Sequence, residues 1–325
     1  MAHVSVKLPT LDASDAAAIV REPVHSVTPI GQGLRSRVYR VETDEGLVRI
    51  VRLTSRETGR IPREAWVRSQ LKRHPDVPLV AEVSVTDVPL AREVDIVTMT
   101  ELPGTTMYQA TRTLFEPEVC ALYEQFGAGL GALHAVPTRG FGLIDGAGHG
   151  AFPTWRTAFD ALAHAALEEA RMAALQDLVP TAKAVIARLS DDLDVITDAA
   201  LLHGDAQPMN VQAHRGRIVA FLDFEFASGG DTEYELAYVE PLFEPGTTHG
   251  VAPEVLAARR AAFYRGYAKH RARMEPRPER VRLYRLVHAL RGTEFLSVVG
   301  PRLAAPQRDE HVQTARAQLQ RWIRA

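Results

Sequence analysis

The stretch Leu201–Gln212, LLHGDAQPMNVQ, decides how this chain is read. An apolar Leu-Leu pair ends in His203-Gly204-Asp205, and Asn210 follows the aspartate by five residues. An acid and an amide at that spacing can be a turn and nothing more, with Asp205 bending the backbone and His203 a hydrogen-bonded core residue. They can also be chemistry. A carboxylate at 205 can accept the proton of an attacking hydroxyl, and the amide oxygen of Asn210 can bind a magnesium ion. The following segment, Arg217–Glu225 (RIVAFLDFE), reads as an apolar strand that delivers Asp223 to its end, thirteen residues after Asn210. Magnesium takes hard oxygen ligands, few of them from the protein, and phosphates complete its shell. Asn210 and Asp223 at adjacent strand ends would make such a half-shell.

Upstream, residues 25–54 (HSVTPIGQGLRSRVYRVETDEGLVRIVRLT) read as a β-hairpin preceded by a glycine-containing turn. Gly31 and Gly33, with Ser36 closing the turn, would let backbone amides approach a phosphate, although a plain β-turn accounts for the same residues. No Gly-Lys-Ser/Thr follows, so this is not a P-loop. Helical spacing returns over 62–73, and two further strands are expected in PLVAEVSVTD and EVDIVTMTEL. About five strands and one inserted helix therefore fill the first hundred residues. After residue 104 the pattern becomes helical, with a long amphipathic helix over 117–136, two or three helices in 154–195, short strands around the opening motif, and helices from about 252 to 324. The stretch 145–152 (DGAGHGAF) is the most loop-like. The expected fold class is α+β, with a small β-rich lobe at 1–101 and a larger, mainly helical lobe at 102–325.

Composition narrows the function classes. A formal net charge of -2 gives no general attraction to nucleic acid or anionic membrane. No apolar run approaches the ~20 residues that span a bilayer, and the N-terminus lacks the pattern of a secretory signal, so the cytoplasm is the expected location. The single cysteine, Cys120, rules out an internal disulfide framework and a cysteine-based zinc site. The only lysines are Lys7, Lys72, Lys183 and Lys269, so a task done by lysine elsewhere would fall to arginine here.

Taken in order, the glycine-rich hairpin, a helix carrying Glu64, a strand ending in MTELPG, then HGDAQPMN and LDFE resemble the aminoglycoside and macrolide phosphotransferases. These are small-molecule kinases with a protein-kinase-like two-lobe fold. The resemblance covers roughly residues 25 to 240. It implies that Asp205 is the catalytic aspartate, that Asn210 and Asp223 hold Mg2+, and that ATP or GTP is the co-substrate. It further implies that Gly31, Gly33 and Ser36 cover the phosphates, that Thr100 to Leu102 form the hinge that binds a purine, and that Glu64 pairs with a strand cation. The family's lysine at that strand is missing. Arg49 and Arg52 both lie in LVRIVRL and differ in strand parity, so one of them points to the ligand; Arg49, fifteen residues before Glu64, suits the family spacing and is taken here.

The expected reaction is transfer of a γ-phosphoryl group to a hydroxyl of a small molecule, with an antibiotic such as an aminoglycoside as first acceptor and resistance as the consequence. A sugar, amino alcohol or natural-product intermediate is the alternative acceptor, and a nucleotide-binding pseudokinase is the alternative that the missing lysine suggests. From Asp223 to Glu244 the chain holds seven acids and no Lys or Arg. That run reads either as a solvated acidic face or as a cleft attracting a cationic acceptor. Trp155 reads either as core or as a stacking platform for the acceptor.

Overall fold

The structure, a computed structural model, describes residues 8–32, 36–56, 59–72, 74–172, 174–245, 250–272, 277–294, 296, 300 and 303–325. Two compact units emerge. The first comprises Met1–Leu122 together with Pro208–Glu225, and the second Tyr123–Gln207 with Phe226–Ala325. These units group the chain differently from the expected lobes at 1–101 and 102–325: the segment bearing Asn210 and Asp223 belongs with the first unit.

In the first unit, α1 (Ala13–Val20) starts at Asp12, whose carboxylate accepts the Asp15 amide at 2.8 Å, and stops at Arg21 in the left-handed region. Strands β1 (Val24–Gln32), β2 (Ser36–Thr43), β3 (Val48–Ser55), β4 (Glu82–Val85) and β5 (Val94–Thr100) form one antiparallel sheet in the order β1-β2-β3-β5-β4. Alternation along β2 and β3 sends Tyr39, Val41, Val51 and Leu53 into a core with Leu11, Ala16, Ile19 and Ile96. Helix α2 (Arg60–Leu71) follows β3. Past β5, Gly104 has φ +92, and a Cβ there would stand 2.0 Å from the Ala213 carbonyl oxygen, so only glycine allows this approach. The two-residue β6 (Thr105–Thr106) then pairs with β10 (Val211–His214), which also pairs with β11 (Arg217–Phe221). The short helix α3 (Met107–Ala110) is capped by the Thr106 hydroxyl.

Helix α4 (Glu116–His134) leads into the second unit. There β7 (Phe141–Ile144), β8 (Gly150–Phe152), β9 (Ala200–Leu202) and β12 (Ser228–Gly230) make a small antiparallel sheet in the order β8-β7-β12-β9. The expected loop at 145–152 thus ends in a strand. Helices α5 (Trp155–Met172), α6 (Val179–Leu189), α7 (Thr232–Val239), α8 (Pro253–Tyr267), α9 (Pro278–Arg291) and the C-terminal helix Ala305–Arg324 complete the unit. Its core centres on Trp155, Phe159, Tyr234 and Tyr284, whose rings lie edge-on or tilted at centroid distances of 5.3–6.2 Å. Trp155 is core: it is 1% exposed and its indole donates to the Tyr284 hydroxyl at 2.8 Å, which in turn donates to Asp231 at 2.7 Å. No described helix is long and apolar enough to cross a membrane.

Candidate active site

The opening motif forms a turn at the end of β9. Gly204 adopts φ +84, and a Cβ there would meet the Phe226 carbonyl oxygen at 2.2 Å. The turn is held from below by Glu235 on α7. That buried carboxylate accepts the His203 amide at 2.8 Å and the Gly204 amide at 2.6 Å, and meets His134 Nε2 at 2.9 Å. Burial alone would raise the Glu235 carboxyl; His134 and the backbone amides outweigh it and hold the group below its ordinary range. Glu235 is thus the group that fixes the backbone entering Asp205.

Asp205 is half-buried. Tyr238 donates to its Oδ1 at 2.6 Å, and Gln207 Nε2 lies 2.9 Å from both carboxylate oxygens. Burial and the Asp205 charge push the Tyr238 phenol far above its ordinary value, so it remains a donor. Tyr238 and Gln207 fix the carboxylate plane, and no feature of the sequence marked either residue. They also line a cavity of about 600 Å³ with Glu244, Arg285, His288, Arg321 and Trp322.

The first unit holds a second cavity, of about 420 Å³. Ser36, Thr100, Leu102, Asn210 and Asp223 all line it, with Ile50 and Arg52. Five of the expected residues therefore share one concave site of ligand size. Asn210 is brought there by the Leu222 amide, which donates to the Asn210 carbonyl at 2.9 Å and closes the loop between them. Asp223 has φ +64, uncommon for a residue with a Cβ and most tolerated by Asn and Asp. Gly31 lies in β1 opposite Val38 and outside this lining, and Gly33 lies outside the described residues.

The β3 arginine that pairs with Glu64 and lines this cavity is Arg52, not Arg49, which spacing had favoured. Arg52 ion-pairs with Glu64, and with Glu82 at 3.2 Å; its side chain is 8% exposed. Arg49 shares a strand face with Val51 and Leu53, is half-buried, and reaches the Val48 carbonyl at 3.4 Å. Arg52 and Ile50 stand on the opposite face, which is the face that lines the cavity. Glu64 is buried at 1% exposure, yet Arg52 and Arg60 overcome the burial and hold its carboxyl below the usual range.

Arg60 was not singled out by sequence. It sits 2% exposed at the start of α2, with Nε 2.7 Å from Glu64, Nη1 2.8 Å from Glu225 and Nη2 2.9 Å from Asp223. A cation in the first turn of a helix opposes the helix dipole, and that was the available signal. Three carboxylates offset both the dipole and the burial. The Asp223 side chain keeps 36% exposure beside Arg60, and with the Asn210 amide it offers the hard-oxygen donor set that suits magnesium.

Residues 26–277 match the sequence profile of the phosphotransferase enzyme family (APH). No curated protein gave a significant sequence match. Among solved structures, a thermostable mutant of aminoglycoside phosphotransferase APH(4)-Ia, in ternary complex with AMP-PNP and hygromycin B, superposes with a TM-score of 0.70 at 18% identity, covering 96% of this chain and 98% of that one. A candidate aminoglycoside phosphotransferase from Ralstonia eutropha JMP134 gives 0.71 at 16% identity, covering 97% and 98%. A candidate fructosamine-3-kinase from Thermobifida fusca gives 0.56 at 20% identity, covering 95% and 98%. The fold is the α+β, protein-kinase-like fold of these enzymes, as expected, and with three quarters of its length matched the chain belongs to the phosphotransferase enzyme family.

Proposed function

We propose that this protein transfers the γ-phosphoryl group of ATP or GTP to a hydroxyl of a small molecule. The observation that carries the reading is the convergence on one 420 Å³ cavity of Ser36, Arg52, Thr100, Leu102, Asn210 and Asp223. In this reading the backbone of 100–102 takes the purine and Arg52, fixed by Glu64, takes phosphate oxygens. Asn210 and Asp223 are the residues that would hold Mg2+, which when bound neutralises phosphate charge. Arginine brings a fork of donors where a lysine would bring a point charge, which favours contact with two oxygens.

Asp205 does the acceptor's work. The acceptor oxygen bonds to the γ-phosphorus, the bond to the bridging oxygen breaks, nucleoside diphosphate leaves, and the hydroxyl proton passes to Asp205. In a loose transition state the proton leaves late, so the carboxylate must chiefly be well placed. Tyr238 and Gln207 supply that placement. Together Arg52, Asn210, Asp223 and Asp205 equip the chain for turnover and speak against a pseudokinase.

The acceptor class is open to direct assay. A relative binds hygromycin B, so aminoglycosides belong in a panel with macrolides, cyclic-peptide antibiotics, sugars and fructosamines. Nucleoside diphosphate release that depends on one acceptor class, and that Asp205→Ala abolishes while nucleotide affinity stays within a few-fold, is the expected result. Magnesium-dependent nucleotide binding without release for any acceptor would favour the pseudokinase instead, and a mutant that retains most of its rate would remove Asp205 from the proton-accepting role.

A further inference from the structure

The cavity beside Asp205 carries a charge pattern unlike the cation-attracting cleft that was one reading of the acidic run. Among the described residues, its ionised lining is Arg285, Arg321 and Glu244: two cations against one anion. Glu244 is already engaged, accepting Arg285 Nη2 at 2.5 Å and Arg321 Nη1 at 3.0 Å. His288 adds no charge, because burial, helped by Arg291, lowers it to about 3; its Nε2 donates to the Tyr234 carbonyl at 2.8 Å. Arg321 stays 61% exposed, with donors to spare. Arg285 is 7% exposed, and its Nε is buried without a hydrogen-bond partner. The Trp322 ring, also in the lining, lies 5.4 Å from the Arg285 guanidinium and 4.7 Å from that of Arg321.

We infer that this cavity binds a hydroxylated acceptor carrying an anionic group of the carboxylate class, taken by Arg285 and Arg321 beside Trp322, and that it disfavours polyamines. The inference rests on the phosphotransferase reading only in naming the bound molecule an acceptor; the binding site stands on the arginines. A carboxylate matches the guanidinium fork geometrically, whereas an ammonium group would meet net positive charge.

The test uses matched compounds in three charge states: glucuronate, glucose and glucosamine, and 4-hydroxyphenylacetate, its amide and tyramine. Binding to the full-length protein is followed by calorimetry and by tryptophan fluorescence, with no turnover required. The carboxylate of at least one set should bind about tenfold more tightly than its neutral and cationic partners. Arg321→Gln, at an exposed position, should erase most of that preference while the protein still melts cooperatively; Arg285→Gln should erase the rest. Equal binding within both sets, preference for the amines, or no binding by any compound overturns the inference. Mg-AMP-PNP binding to the same preparation reports separately on the kinase reading: nucleotide bound without a carboxylate preference removes this inference alone, and a carboxylate preference without nucleotide binding removes the kinase reading alone.

Discussion

Arg52→Met and Arg49→Met, three residues apart on one strand, should behave oppositely. Arg52 is 8% exposed between Glu64 at 1% and Glu82 at 7%. Removing one partner from a buried ion pair costs about 3–5 kcal/mol. Glu64 keeps Arg60 at 2.7 Å and Glu82 keeps Arg68 at 3.0 Å, so the lower end, about 3 kcal/mol, is expected. Urea unfolding should then show a midpoint lower by about 1 M or more. Arg49, half-buried and held by one long hydrogen bond to a carbonyl, should cost no more than about 0.5 kcal/mol. Affinity for Mg-AMP-PNP gives the second readout: about tenfold or greater loss for Arg52→Met, because a charged donor to phosphate is removed, and little change for Arg49→Met. Arg52→Lys, which restores the charge without the fork, should recover part of both losses. Equal or greater losses in Arg49→Met, with Arg52→Met close to wild type, would refute the assignment and return the strand cation to position 49.

Three further substitutions probe the site. Asp223→Asn keeps a residue that tolerates φ +64 but removes the charge; nucleotide affinity should fall about tenfold and lose its response to magnesium or to EDTA, as calorimetry would show. Tyr238→Phe deletes the 2.6 Å bond to Asp205, and kcat should fall about tenfold with nucleotide affinity unchanged. Glu235→Gln leaves one of three buried donors facing an amide, which should cost about 2–4 kcal/mol in urea melts. The pH profile adds a sign. Because the folded protein holds the Glu235 carboxyl below its ordinary 4.5, the group stabilises the fold above that value and loses its contribution as pH falls through the lowered one. Wild-type stability should therefore drop more steeply below about pH 4.5 than that of Glu235→Gln; parallel profiles would mean that His134 and the amides do not hold the charge.

Long periodic segments were legible and short ones were not. The five-stranded sheet follows from strands of four to nine residues with apolar alternation and turn residues between them. The sheet of the second unit has strands of three and four residues, too short for a period to register, and β12 is Ser-Gly-Gly, a composition that disfavours strands in isolation. Tertiary pairing makes it a strand: Ser228 and Gly229 pair with β7 and β9 at once. The return of Pro208–Glu225 to the first unit is likewise a property of long-range pairing, with Phe221 donating to the Pro78 carbonyl at 2.9 Å. Linear spacing favoured Arg49 over the Arg52 that pairs with Glu64 for the same reason. Ile50, Val51 and Leu53 supply apolar residues to both faces of β3, so the alternation could not say which face looked into the cavity.

The acidic run from Asp223 to Glu244 shows why counting charges along a chain misjudges a site. Asp223 and Glu225 meet Arg60, Asp231 meets Arg280 at 3.3 Å, and Glu235 meets His134. Glu240 meets Arg260 at 2.7 Å, and Glu244 meets Arg285 and Arg321. Glu233 is 6% exposed and engaged as well. Much of the run is the anionic half of ion pairs whose partners come from α2, α4, α8, α9 and the C-terminal helix. A chain that uses arginine almost in place of lysine can bury such pairs, because the guanidinium makes several directed hydrogen bonds to offset desolvation. Beside Asp205, Glu244 is shared by Arg285 and Arg321, so two guanidiniums stand against one carboxylate in the lining of that cavity.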